Sequence, residues 1–276
     1  MNHCLKYKAR FLKTILIIIQ TLLIIFLTSC TDFIADIEHQ KDWEVLESGK
    51  IVLHYRPEDF SSNPSPTLEE AGKIAKNQNF YYQAIQDSLN RSFNDKVLIY
   101  LYNQDEAEEM IGTDGGGHSI PKLNTFYYTF IPNRPDFRDK YEISNPIIGA
   151  HELAHVISHR SLGYPGTKLM SEGYANWLDG SYSYHSITNI MRTYKEQKPD
   201  KIMSPNQLLH ETTENEAVYY PNCGLFIQYL VKEYGINNIN NLFTITEDNY
   251  KNKFENVTGD SWDEMTQKYN NYLDKI

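Results

Sequence analysis

Two of the nine histidines in this 276-residue chain stand four apart with a glutamate directly after the first: His151-Glu152-Leu153-Ala154-His155. Residues four apart project from one face of a 3.6-residue helix, one turn from each other, so both imidazoles aim at a common point. That is what a tetrahedral zinc ion asks of two nitrogen ligands. Glu152 sits beside them, able to reach a water activated there instead of the metal itself, which is the position of a general base. A second carboxylate lies downstream in Leu169-Met-Ser-Glu172-Gly173-Tyr174-Ala175-Asn176-Trp177-Leu178-Asp179, a candidate helix. A turn between the two helices brings Glu172 back across the metal as third ligand and leaves a fourth position open. The expectation is one zinc per chain, held by His151, His155 and Glu172. His159, one turn beyond His155, reads as peripheral, because a fourth protein ligand would close the open position.

Other elements must carry this constellation. Asn145 suits an N-cap and Pro146 the first helical position, which puts the histidine pair in the first turns of a helix. Upstream, residues 51–55 read as a strand. Pro64 and Pro66 mark a loop, and Thr67 with Glu70 forms a capping-box signature. Leu68, Ala71, Ile74, Ala75, Tyr82, Ile85 and Leu89 follow at helical spacing. Residues 97–102 are a continuous apolar run, the pattern of a buried strand, and residues 105–110 a short acidic helix. Gly115-Gly116-Gly117 punctuates the chain before residues 125–131, whose aromatic and β-branched content predicts a strand; we expect this one at an exposed edge. From residue 145 the periodicity is helical, broken near 163–166 and 198–205. The class is α+β: a mixed sheet-plus-helix N-terminal lobe, a mostly helical C-terminal lobe and the zinc site between them.

With these residues in place the chain resembles the gluzincin metallopeptidases, the zincin-fold group that includes thermolysin and aminopeptidase N and uses HExxH followed by a glutamate on the next helix. Met170-Ser-Glu172-Gly173-Tyr174-Ala175 is similar to the W-L-x-E-G-x-A block of the aminopeptidase-like branch, and the order of elements over roughly residues 51–230 matches that branch. The metzincin pattern fails, since Ser158 and Ser161 stand where its glycine and third histidine belong. The resemblance implies a zinc peptidase that acts on a peptide or protein substrate. It also implies an oxyanion donor from a tyrosine near the following helix. Tyr220 takes that role, with Tyr219, His118, His185 and His210 as competitors. Two positions depart from the pattern. Asn176 stands where an acid commonly orients a zinc histidine, so Asn176 is expected to accept from an imidazole N–H. The Gly115–Gly117 segment lacks the glutamate that holds a substrate's terminal amine in the aminopeptidases, which points to internal cleavage. The rival readings are a catalytically retired scaffold that binds protein or glycan, and a protein with a closed structural zinc site. The intact ligands and base disfavour the first, and the free Glu152 beside a carboxylate ligand disfavours the second.

The net charge of −10 excludes partners that require concentrated Lys and Arg, nucleic acid above all. Residues 1–29 hold Lys6, Lys8, Arg10 and Lys13 and no acid, so the rest of the chain is more acidic still. That segment reads as a signal peptide: a basic start, an apolar run from Ile15 to Leu27 shorter than a membrane span needs, and then Leu27-Thr28-Ser29-Cys30. Its end resembles the lipobox of bacterial lipoproteins, which makes Cys30 the lipid attachment and residues 30–42 a tether to an extracytoplasmic domain of residues 43–276. Of the three cysteines only Cys223 then remains as a thiol, and it reads as a small buried residue. Cys30→Ser is expected to leave full-length precursor that incorporates no acyl label. An acylated, processed band in that variant, seen by metabolic fatty-acid labelling, would exclude Cys30.

Overall fold

The first long helix is closed at its start in the manner its sequence predicts. Thr67 Oγ1 accepts from the Glu70 N–H at 3.2 Å, and the Glu70 carboxylate accepts from the Thr67 N–H at 2.9 Å. Two otherwise orphaned donors are thereby satisfied, worth about 1 kcal/mol for the cap. This helix, α1 (Leu68–Leu89), buries Ala71, Ile74, Ala75, Gln78, Tyr81, Tyr82, Ile85 and Leu89 and ends at Asn90 in the left-handed region at φ 49°. Leu68, which the apolar spacing places on the same stripe, is exposed as the first residue of the helix. The computed structural model describes residues 43–57, 64–111, 116–132, 148–182, 185–210 and 215–276. The signal segment, Cys30 and the tether, together with Asp114, Gly115, Asn145 and Pro146, lie outside the described residues.

Five strands form one sheet: β1 (Glu44–Ser48), β2 (Ile51–Tyr55), β3 (Val97–Tyr102), β4 (Gly117–Ile120) and β5 (Thr125–Thr129), in the order β1-β2-β3-β5-β4. The strands β2, β3 and β5 are parallel, with α1 as the crossover between the first two. The outer strands β1 and β4 run antiparallel to their neighbours. This corrects the expected edge. The aromatic run at 125–129 is an interior strand paired on both sides, and its residues Thr125, Phe126, Tyr128 and Thr129 are buried, as a strand covered on both faces requires. The four-residue strand that begins at Gly117 takes the edge instead, and short strands are common there.

A short helix α2 (Gln104–Ile111) follows β3, and the remaining helices are α3 (His151–Leu162), α4 (Lys168–Asp179), α5 (Ile187–Gln197), α6 (Pro205–Leu209), α7 (Glu216–Tyr234), α8 (Ile236–Leu242), α9 (Tyr250–Thr258) and α10 (Trp262–Leu273). A mixed five-stranded sheet followed by helices is the expected α+β layout, and residues Glu44–Ile276 form one compact unit. The start of α3 differs from the expectation. Residues 148–150 are not helical, so the helix begins at His151 and not near Pro146. No side chain of its own caps it; the Ala150 N–H donates to the Asp179 carboxylate on α4 at 2.7 Å, and Gln78 on α1 donates to the Gly149 carbonyl at 2.9 Å. Tertiary partners thus fix the first turn of the histidine helix.

The helices α4 and α7 pack closely because each contributes a glycine. A Cβ at Gly173 would stand 2.6 Å from Ile227 and 3.2 Å from the Cys223 carbonyl, and one at Gly224 would meet Asn176 at 3.0 Å. Cys223 is fully buried at this crossing, which accounts for its size. Pro221 inside α7 cannot supply the N–H that would bond the Ala217 carbonyl. The Tyr194 hydroxyl from α5 donates to that carbonyl at 2.9 Å and keeps the helix start satisfied. Among the described residues, no helix is long and apolar enough to cross a membrane.

Candidate metal centre

The first turns of α3 and α4 bring three donor atoms to one point. His151 Nε2 lies 3.1 Å from His155 Nε2, and each lies 3.4 Å from Glu172 Oε2. Four ligands at bonds of about 2.0–2.1 Å around a tetrahedral ion stand about 3.3–3.4 Å apart, so this nearly equilateral triangle is one face of such a tetrahedron. Among the described residues these three form the group that could hold a metal ion. The chemistry of the atoms fits as well. Glu172 Oε2 is buried without a hydrogen-bond partner, and two imidazole nitrogens face each other at a distance where both cannot present lone pairs unless a cation lies between them.

The helix that carries Glu172 is set by Thr167, whose hydroxyl accepts from the Met170 N–H at 3.3 Å, and it ends at Gly180 in the left-handed conformation. Its last turn holds Asp179, buried at a helix C-terminus, where the macrodipole disfavours an anion. What offsets this is the Ala150 N–H at the positive start of α3 and the imidazole of His151, whose proton Asp179 helps to retain. Burial lowers the affinity of His151 for a proton. The Glu172 carboxylate 3.4 Å away and the charges of Glu152 and Asp179 outweigh it and push the pKa up to about 9. Burial alone would raise the Glu172 carboxyl, but the two imidazoles, each 3.4 Å from Oε2, hold it far below the usual carboxylate range.

Asn176 does not take its expected place. Its amide nitrogen donates to the Glu172 carbonyl at 2.8 Å, so it stiffens the backbone of the ligand glutamate instead of accepting from an imidazole. The hydrogen-bond partner of His155 Nδ1 is Ser171, whose Oγ lies 3.3 Å from that atom and 3.3 Å from His159 Nε2. His159 stays outside the donor triangle, packed edge-on against Phe243. Sequence reasoning passed over Ser171, Asp179 and Gln78. Of these only Asp179 carried a signal, an acid at the wrong end of a helix.

Glu152 is buried one residue from His151, in the first turn of α3 where the helix dipole favours its charge. The edge strand lies directly against it. A Cβ on Gly117 would come within 2.5 Å of Glu152 Cγ and 2.6 Å of the Tyr128 ring, so only glycine lets β4 approach this closely. Tyr220 stacks on His151 with ring centroids 5.7 Å apart and planes at 23°. Burial, and then the charges of Glu172 and Glu216, push its phenol far above the usual value, so it keeps its proton and remains a donor. Tyr219 points elsewhere: it is buried, and its hydroxyl donates to the Leu208 carbonyl at 2.8 Å. His210 pairs with Glu247 on the surface, His118 is exposed on β4, and His185 lies in the short strand His185–Ser186.

No protein-family model matches the chain, and no curated protein matches it in sequence.

Metal uptake has to remove the proton from His151. Below about pH 9 the metal-free site carries it, and Nε2 must be bare to bind, so affinity should fall as pH drops and level off above about pH 9. Zinc titration by calorimetry at pH 7 in two buffers of different ionisation enthalpy is expected to show one proton released per ion. Identical heats in both buffers would contradict this.

Proposed function

We propose that this chain is a zinc-dependent endopeptidase of gluzincin type, anchored through lipid on Cys30 at an extracytoplasmic face of a bacterial membrane. The observation that carries the reading is the triangle of His151, His155 and Glu172 atoms at 3.1–3.4 Å with Glu152 next to it but not in it. Two imidazoles and one carboxylate at tetrahedral spacing suit zinc better than the harder oxygen-seeking cations, and three protein ligands leave a position for chemistry. A mixed sheet whose antiparallel edge strand lies over the HExxH helix supports the zincin-like assignment of the fold.

Zinc held by these residues supplies a Lewis acid that activates water and polarises a scissile carbonyl. The protein's own groups do the rest. Glu152 accepts the proton of the attacking water and delivers it to the leaving amine. Tyr220, kept protonated by its surroundings, donates a hydrogen bond to the carbonyl oxygen as negative charge develops on it. Among the described residues β4 is the outermost strand, and its backbone N–H and C=O groups lie beside Glu152, so an extended peptide adds to the sheet there and passes the base. An ammonium terminus buried in this cleft would need a carboxylate to hold it, and the glycine segment that leads into β4 carries none. Internal bonds of peptides or unfolded segments are the substrates this favours.

The experiment is cleavage of one long peptide in amino-terminally free and acetylated forms by zinc-loaded protein. Both forms should be cut at the same internal bonds, and Glu152→Gln should retain zinc while the rate falls about 10²–10⁴-fold. Full activity of Glu152→Gln would overturn the mechanism, and stepwise loss of terminal residues from the free form alone would make the enzyme an exopeptidase. Gly117→Ala is expected to retain zinc and lose roughly 10²-fold in rate, because the added Cβ drives the edge strand and Glu152 apart. An unchanged rate in that variant would show that the contact does not position the base.

A further inference from the structure

His155, Ser171 and His159 form a line of hydrogen-bonding atoms that leads away from the donor triangle. Ser171 Oγ bridges His155 Nδ1 and His159 Nε2 at 3.3 Å on each side. If His155 gives the lone pair of Nε2 to a metal, the single hydrogen of the neutral ring must sit on Nδ1, where it donates to Ser171. Ser171 then has one hydrogen of its own to place, and His159 Nε2 is the other atom within reach. His159 accepts it only if its own proton is on Nδ1, an atom buried without a partner among the described residues. The opposite arrangement, with His159 donating, leaves two groups unmet: the Ser171 hydrogen and the Nδ1 lone pair. The ring of His159 is also held in place, edge-on to His155 at 5.5 Å, to Phe243 at 5.8 Å and to Tyr164 at 5.9 Å. A fixed acceptor gives the serine hydroxyl one direction.

We infer that Ser171 is the positioning residue for the metal ligand His155, and that His159 sets the direction of its hydroxyl by accepting from it. This relay takes over the orienting role that Asn176 does not fill. It rests on the zinc reading of the site. It also gives the ligand imidazole a neutral hydrogen-bond partner in place of a carboxylate, with the serine located directly before the ligand Glu172 on α4. A change in the seating of α4 therefore moves the third ligand and the orientation of the second together.

The test is zinc affinity, measured by competition with a chromophoric chelator, for the full chain and four variants. Ser171→Ala should bind zinc about 10–100-fold more weakly, the usual cost of losing such a partner. Ser171→Thr, which keeps the hydroxyl, should stay within about 3-fold of the parent, below that range. His159→Leu should weaken binding and His159→Gln, which restores an acceptor, should recover it. In zinc-loaded parent protein, ¹⁵N NMR of the imidazoles should find His159 protonated on Nδ1, and this measurement stands even if a variant fails to fold. Parental affinity in Ser171→Ala, or His159 protonated on Nε2, would overturn the relay alone. A parent chain that takes up no zinc would instead overturn the functional reading on which the relay rests.

Discussion

Bringing two imidazole lone pairs and a carboxylate oxygen within 3.4 Å of one another is unfavourable unless a positive charge lies among them, and much of the chain is arranged around that convergence. The two helices that supply the donors cannot hold it through their own sequences. The start of α3 has no side-chain cap of its own, so its first turn, which carries His151 and Glu152, is fastened from outside by Asp179 on α4 and Gln78 on α1. The helix α4 is fastened in turn by its glycine-mediated crossing with α7, which also delivers Tyr220 to the ring of His151. The Asn240 side chain donates to the Leu89 carbonyl at the end of α1 and accepts from Tyr174 of α4, so the crossover helix of the sheet is tied to the same assembly. Sheet and helices thus meet where the donor atoms meet.

The parts of this arrangement that were legible in the sequence are those set by neighbours a few residues apart. The capping box of Thr67 and Glu70, the buried run of β3 and the i, i+4 histidine pair are local patterns, and each lies where its spacing puts it. The edge strand was misjudged because strand pairing is non-local. The residues 125–131 have the composition of any strand, and only the return of Gly117–Ile120 beside them decides which strand is outermost. The start of α3 was misplaced for a related reason: Asn145 and Pro146 are a plausible local start, but the N–H group that needed a partner found it on another helix. Ser171 shows the same limit on a smaller scale. Nothing in its immediate sequence distinguishes it from a surface serine, and its role exists only once α3 and α4 lie side by side.

The distribution of charge explains why position 176 carries an amide and not an acid. The position of Asn176 is spent on the Glu172 carbonyl and on contact with Gly224, where a charged side chain would be buried against the α7 backbone. A neutral serine bonds one histidine, and the negative charge lies on Asp179, which acts on the other from beside the start of α3. Asp179 thus does two things from the end of α4: its charge acts on His151 and it accepts from the start of α3.

Counting charges around the point of convergence gives Glu172 as ligand, with Glu152 and Asp179 close enough to act on His151. With no metal these three anions surround two imidazoles, and the site answers by holding a proton on His151 up to about pH 9. A dication removes the need for that proton and offsets two of the three charges. The third, on Glu152, then sits against the glycine of an edge strand at the mouth of the site, the one carboxylate of the group neither bonded to a helix start nor part of the donor triangle. In the proposed mechanism the base must lie close to the water it deprotonates, and Glu152 is the carboxylate whose position suits that role. Burial, and then the charges of Glu172, Glu216 and Glu152, keep the phenol of Tyr220 protonated, which suits it to the complementary donor of that mechanism. The proposed reaction thus draws its proton acceptor from the first turn of α3 and its donor from α7, the two helices that pack on α4 beside the donor triangle.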